Sequence, residues 1–225
     1  MTISLSQFSV SSSIINVFQN GLRRGSERLP HDPTKHYAYV EHPTEGWRVY
    51  LRSVVFLHEL PLSDTQTYDP LKFIVVKRRG AHMTTAAWEP PKGQMEGKDL
   101  LGVSGKEQPL LNILAINARR ETFEEAHIDD FEKFTYTGKV FQGREKNYPP
   151  NTYFQYHIFQ GFLSPRQIQQ SFSTFDWIRR HRDEFKKWSK DRREKDAVSW
   201  FNPRITRLNP RWTPAIVAIY LKQFT

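Results

Sequence analysis

Glu121, Glu124 and Glu125 stand at i, i+3 and i+4 in the run Arg120-Glu121-Thr122-Phe123-Glu124-Glu125-Ala126-His127-Ile128. On a helix this spacing puts three carboxylates on one face with Cβ atoms roughly 5–6 Å apart. Such a trio repels itself, so it either recruits basic partners or chelates a hard divalent cation. Mg²⁺ favours the second case, since it takes a few carboxylates together with water and substrate phosphate oxygens. Upstream, Trp88-Glu89-Pro90-Pro91-Lys92-Gly93 reads as a strand end entering a proline-rigidified turn whose glycine permits close backbone approach. A loop backbone beside an acidic helix offers a carbonyl oxygen to a metal. The competing reading is a structural charge pattern, with Arg120 and Glu124 paired at i, i+4.

Pro91-Lys92-Gly93 and Arg120-Glu121-x-x-Glu124-Glu125 together resemble the signature of the Nudix hydrolases. That signature is a Gly, five residues, a Glu, seven residues, then Arg-Glu-apolar-x-Glu-Glu-x-Gly-apolar. The resemblance implies an α/β protein, an α/β/α sandwich around a mixed β-sheet. It also implies Mg²⁺ or Mn²⁺ on the acidic helix and water that cleaves a pyrophosphate in a nucleoside diphosphate linked to another group. On that pattern Glu121 and Glu125, with Glu124 and the Gly93 carbonyl, hold the metal. Glu124 or Glu194 orients or deprotonates water, and Lys92, Arg79 and Trp88 lie beside the substrate.

This chain departs from the signature in several places. The stretch from Gly93 to Arg120 is twice as long as in the pattern, so about residues 96–109 read as an insertion. The first Glu falls on Asn112 counting back from Arg120 and on Asp99 counting forward from Gly93. Thr122 occupies an apolar position, and His127 stands where the last Gly belongs.

The elements that must position these groups follow from residue patterning. Trp47 to Leu60 reads as a strand, with Leu71 to Arg79 as its hairpin partner. A helix from about Leu110 to His127 puts Leu111, Leu114, Ala115, Ala118 and Thr122, with Phe123, on a core face and the glutamates on another. Phe134 to Phe141 and Thr152 to Leu163 read as two further strands. One face of the second alternates aromatic residues, which suits either a nucleobase or burial between layers.

Phe172, Phe175, Ile178, Phe185 and Trp188 share a face of a basic helical segment at about 166–195. Its Arg179, Arg180, Arg182, Lys186, Lys187 and Lys190 make a candidate RNA contact or a solvated face. Ala197 to Phe201 reads as a short strand and Trp212 to Phe224 as a closing helix with Pro214 in its first turn. Glu194 precedes Trp200 by the interval at which the messenger-RNA decapping branch of the Nudix family carries a Glu, which implies a second catalytic carboxylate.

The 225 residues carry a formal charge of +9 and no cysteine, which excludes disulfides, thiol catalysis and cysteine metal sites. The charge suits a polyanionic partner, either nucleic acid or a heavily phosphorylated small molecule. No apolar run reaches the ~18 residues that span a bilayer. Residues 1–35 read as an N-terminal extension and 36–225 as the domain, with an irregular connection from Glu27 to Pro43. A cytoplasmic location is expected, or a mitochondrial one if the acid-free residues 1–26 are a presequence.

The resemblance to decapping enzymes favours the 5′ cap of RNA as substrate, with dinucleoside polyphosphates and diphosphoinositol polyphosphates as rivals. A non-catalytic, RNA-binding Nudix-fold scaffold is the alternative from another class.

Overall fold

A computed structural model describes residues 13–30, 32–61, 63, 67–82, 84–100 and 108–224. Its frame is a mixed sheet of β1 (Arg23–Leu29), β2 (Asp32–Glu41), β3 (Arg48–Glu59), β8 (Thr152–Leu163) and β7 (Lys133–Gly143), in that order. β3 and β8 run parallel from Arg48↔Thr152 to Glu59↔Leu163, and the other neighbours are antiparallel. The short β6 (Lys92–Gln94) pairs with β3 just beyond the point where β2 leaves it, setting Gly93 opposite Ser53. A second antiparallel sheet has the order β5 (Trp88–Glu89), β4 (Ile74–Arg78), β9 (Lys195–Trp200).

Helices cover both sides, giving the α/β sandwich around a mixed sheet. Alternation along β3 separates two cores. Val49, Leu51, Val55 and Leu57 pack with Ile113, Leu114 and Ala118 of α2 (Leu110–Ala126) and with Phe175 and Ile178 of α3 (Pro165–Arg180). Tyr50, Val54 and Phe56 pack with Ile216, Val217 and Tyr220 of α5 (Thr213–Leu221). α1 (Gly97–Leu100) and α4 (Arg182–Phe185) are single turns. Among the described residues no helix is long and apolar enough to cross a membrane.

Four expectations change. The boundary expected at residues 35 and 36 falls inside β2, and Glu27 to Pro43 lies largely in β1 and β2 rather than in an irregular connection. β1 is an edge strand and β2 meets β3 only over Tyr39–Glu41, so Pro33 is tolerated at the start of β2 and the polar composition hides both strands. β4 is not the hairpin partner of β3; it crosses to the second sheet between β5 and β9. The basic helix breaks at His181, although Phe175, Ile178 and Phe185 keep the expected buried face.

On α2 the buried stripe runs Leu110, Leu114, Asn117, Ala118, Glu121, Thr122 and Glu125, so two of the glutamates lie on the core-facing side and Leu111 is exposed. Of the expected presequence, residues 1–12 lie outside the described residues, as do 101–107 of the expected insertion.

Candidate active site

α2 starts after Pro109 and ends at His127, which adopts a left-handed conformation (φ 57°) and donates its N–H to the Phe123 carbonyl. His127 therefore fills the C-terminal turn where the Nudix pattern has glycine, and its ring packs against Phe175 and Trp188. One helical turn earlier the three glutamates separate. Glu121 and Glu125 point inward and Glu124 lies half-buried at the rim.

Glu121 meets the Pro-Lys-Gly turn directly. A Cβ placed on Gly93 would overlap the Glu121 carboxylate, so only glycine fits opposite it. The approach is set from below: the Ser53 hydroxyl donates to Asn117 Oδ1 at 2.6 Å, and Asn117 Nδ2 faces Glu121 Oε1 at 3.5 Å. Arg120 reaches the same oxygen at 2.8 Å. Burial is the largest influence on Glu121 and raises its pKa to about 8; Arg120 opposes this, and Glu125, Glu124 and Glu194 add to it.

Glu125 accepts the Lys92 backbone N–H at 2.9 Å on one oxygen and the Lys195 ammonium at 2.9 Å on the other. Burial raises its pKa to about 7 despite Lys195. Lys195 also contacts Glu89 at 2.5 Å, and the other Glu89 oxygen accepts from Lys92 Nζ at 3.0 Å and Asn209 at 3.1 Å. Burial disfavours the Glu89 charge, and Lys92 with Lys195 outweighs it, holding the carboxyl down at about 2.

Arg120 fans across the rim to Glu124 at 2.7 Å and Asp99 at 3.3 Å. Asp99, the residue reached by counting forward from Gly93, thus faces α2 through Arg120.

Lys92, Arg120 and Lys195 stand against the carboxylates of Glu89, Asp99, Glu121, Glu124, Glu125 and Glu194, and Lys35 and Lys98 act on Glu124 from the rim. Burial holds Glu121 and Glu125 toward their protonated forms, and a divalent ion would favour the ionised ones. Among the described residues no three acidic or histidine side chains converge to hold a metal by themselves. The donor set that fits is narrower: the buried Glu121 and Glu125 carboxylates and the Gly93 backbone, with the remaining positions left to water and phosphate oxygens. Mg²⁺ normally takes one or two carboxylates in this manner.

The other candidates are distributed as follows. Glu194 is exposed, lies near enough to raise the Glu121 pKa, and has no carboxylate partner among the described residues. Its carbonyl accepts the Arg79 N–H at 2.7 Å, which brings Arg79 to the same rim with its side chain exposed. Lys92 is turned to Glu89, and Trp88 is buried in the core beneath α5.

Arg179, Lys186 and Lys187 pair with Asp176, Asp183 and Glu184 at 2.8–2.9 Å. Arg180 donates to the Asp176 carbonyl, Lys190 lies 3.6 Å from Asp32, and Arg182 opens α4. Both faces of β8 are buried, so its aromatic residues serve the two cores. Sequence reasoning missed Ser53, Glu89, Asn117 and Lys195. The one usable signal was Asn117, four residues before Glu121 on the same stripe.

No family model matches this chain, and no curated protein matches it. Similar solved structures include the NUDIX domain of Shewanella oneidensis NrtR complexed with ADP ribose. That likeness has 12% identity and a TM-score of 0.43, over 82% of this chain and 94% of that one. A Caenorhabditis elegans Ap4A hydrolase has 16% identity and a TM-score of 0.39, over 78% and 96%. A NUDIX hydrolase from Nitrosomonas europaea has 12% identity and a TM-score of 0.40, over 77% and 89%.

Proposed function

We propose that this chain is a metal-dependent Nudix hydrolase that cleaves a pyrophosphate bond in a nucleoside diphosphate linked to a second group. The observation that carries the reading is the seating of the Glu121 carboxylate against Gly93, with Glu125 one turn along the same buried stripe. Glu121, Glu125 and the Gly93 carbonyl would hold Mg²⁺ or Mn²⁺. When bound, the ion polarises phosphate oxygens and lowers the pKa of its water.

The chain's own residues supply the rest. Arg120 fixes Glu121 and Glu124 relative to each other. A carboxylate at the rim takes a proton from the water whose oxygen attacks phosphorus, and the bridging oxygen leaves with the displaced phosphate. Glu194 suits that role better than Glu124, because Glu124 is already bound by Arg120 at 2.7 Å. Arg79, exposed beside Glu194, would meet the outer phosphates.

For the substrate we place the 5′ cap of RNA first, on the basic segment and on the interval from Glu194 to Trp200. A dinucleoside or diphosphoinositol polyphosphate is the second reading. It is favoured by the ion pairs that neutralise Arg179, Lys186 and Lys187 and so weaken the segment as a polyanion surface.

Capped RNA, dinucleoside polyphosphates and diphosphoinositols, each assayed with Mg²⁺ and with Mn²⁺, separate these readings. Release of a capped nucleotide is expected from capped RNA. Turnover of the small molecules alone selects the second reading. No turnover at all, with RNA binding that weakens steeply with salt, returns the chain to a scaffold.

Glu194→Gln is expected to lower kcat by about 10²-fold, within the usual range for a general base, with RNA affinity unchanged. Turnover near that of the native chain removes Glu194 from the site.

A further inference from the structure

The face of the sheet turned away from α2 carries a cavity of about 480 Å³, bounded by β1, by the turn before β3 and by the turn before β8. Its volume is that of a small-molecule site. Trp47 and Tyr148, both half-buried, line it from the two turns. Tyr148 rests on Phe154 at 5.0 Å, and Phe154 is stacked on Tyr50 at 5.3 Å, so this wall is a run of rings. On the opposite wall Arg48 holds two carboxylates, donating to Glu27 Oε1 and to Glu41 Oε2 at 2.7 Å each, and the Tyr50 hydroxyl donates to the same Glu27 oxygen. Glu27 Oε2 and Glu41 Oε1 have no donor among the described residues. Arg28, also on the wall, directs its Nε to His36, so the charged side chains of the cavity carry no net positive charge.

We infer that this cavity seats a nucleobase of the substrate, and so selects pyrophosphates that end in a nucleoside over diphosphoinositol polyphosphates. The inference rests on the hydrolase reading above, which places the pyrophosphate at the Pro-Lys-Gly turn. Paired residues of antiparallel strands point to one face, so Lys92 and Gln94, opposite Val54 and Arg52, share the face of Tyr50. Tyr50 lies four residues from Val54, roughly 13 Å along β3 at ~3.3 Å per residue. A ribose and a short phosphate chain cover that span. Rings supply a stacking surface for a base, and carboxylate oxygens without donors accept from the N–H groups on its edge. A phosphate cluster would instead meet Glu27 and Glu41 with no surplus of cations to offset them.

The test is calorimetric titration of the full chain in Mg²⁺ with two anions that resist hydrolysis, guanosine 5′-(α,β-methylene)diphosphate and methylenediphosphonate, which lacks the nucleoside. The guanosine compound is expected to bind at least about 10-fold more tightly. Tyr148→Leu, which keeps apolar bulk and loses the ring, and Glu27→Gln, which turns an acceptor into a donor, are each expected to weaken it about 10-fold and to leave methylenediphosphonate unchanged. Tyr148→Phe is expected to keep the native affinity. Equal affinity for the two anions, or no binding of either, overturns the inference. A preference for the guanosine compound that neither variant alters places the base elsewhere and overturns it too. If Tyr148→Leu does not fold, Glu27→Gln at the exposed rim decides. Turnover in the substrate panel is read separately: hydrolysis without base preference removes the cavity alone, and base preference without turnover of any pyrophosphate removes the catalysis alone.

Discussion

Glu121→Gln is expected to lower turnover by about 10³-fold while making the metal-free protein more stable above pH 8. The two effects have one origin. Burial with too little compensating charge raises the Glu121 pKa to about 8, from an unfolded value near 4.5. Between those values the folded chain holds a proton that the unfolded chain has released, so stability falls as pH rises through this window. Glu125, at about 7, adds a loss of the same sign over a narrower range. The Glu121 contribution is on the order of a few kcal/mol, at 1.36 kcal/mol per pKa unit.

A glutamine keeps the shape, carries no charge, and removes this loss. It also removes the negative oxygen that would hold a divalent ion, hence the fall in rate. Urea unfolding in EDTA at pH 5 and pH 9, beside kcat at saturating Mn²⁺, checks both halves. Loss of stability at pH 9 would instead make Glu121 a structural partner of Arg120. The acid side of the profile has another cause. Burial lowers the pKa of His58 and His127 to about 4 and that of His157 to about 3, so stability is lost as pH falls from about 6.5 through those values. A divalent ion, by favouring the ionised carboxylates, is expected to reduce the loss on the alkaline side.

The parts of this site that were legible in the sequence are those encoded by local spacing. The Glu trio, the Pro-Lys-Gly turn, the start of α2 at Leu110 and the β7–β8 pair need only neighbours a few residues apart. The face of α2 was misassigned because a stripe judged by apolar residues alone passes over Asn117, Glu121 and Glu125, which are buried for their polar partners. Ser53, Glu89 and Lys195 were invisible for a different reason. They arrive from β3, β5 and β9, and their meeting depends on β4 joining the second sheet. The assumption that consecutive strands pair concealed this. Asp99 is one of the two residues that counting along the long stretch reaches, and its contact with Arg120 is not legible in that spacing.

Gly93→Ala tests whether that convergence is tight enough to matter. The glycine is not required for backbone conformation, since it does not occupy the left-handed region. It is required because a methyl group there would overlap the carboxyl group of Glu121. Gly93 is held by its pairing with Ser53, so the group that must give way is the carboxyl end of the Glu121 side chain, at the expense of its contact with Arg120. Overpacking of this kind destabilises by about 1–3 kcal/mol. Displacing a reacting group by about 1 Å lowers rates on the order of 10²-fold.

Gly93→Ala is expected to show both effects, together with weaker Mn²⁺ uptake. Glu121→Ala removes the colliding group, so adding Gly93→Ala to that background should cost almost no further stability, and the double-mutant cycle should report strong coupling between the two positions. Activity should not return in the double variant, because the carboxylate is gone. A Gly93→Ala chain with native turnover and native Mn²⁺ affinity would mean that Glu121 has room to move, and the turn would then be only a support for β6.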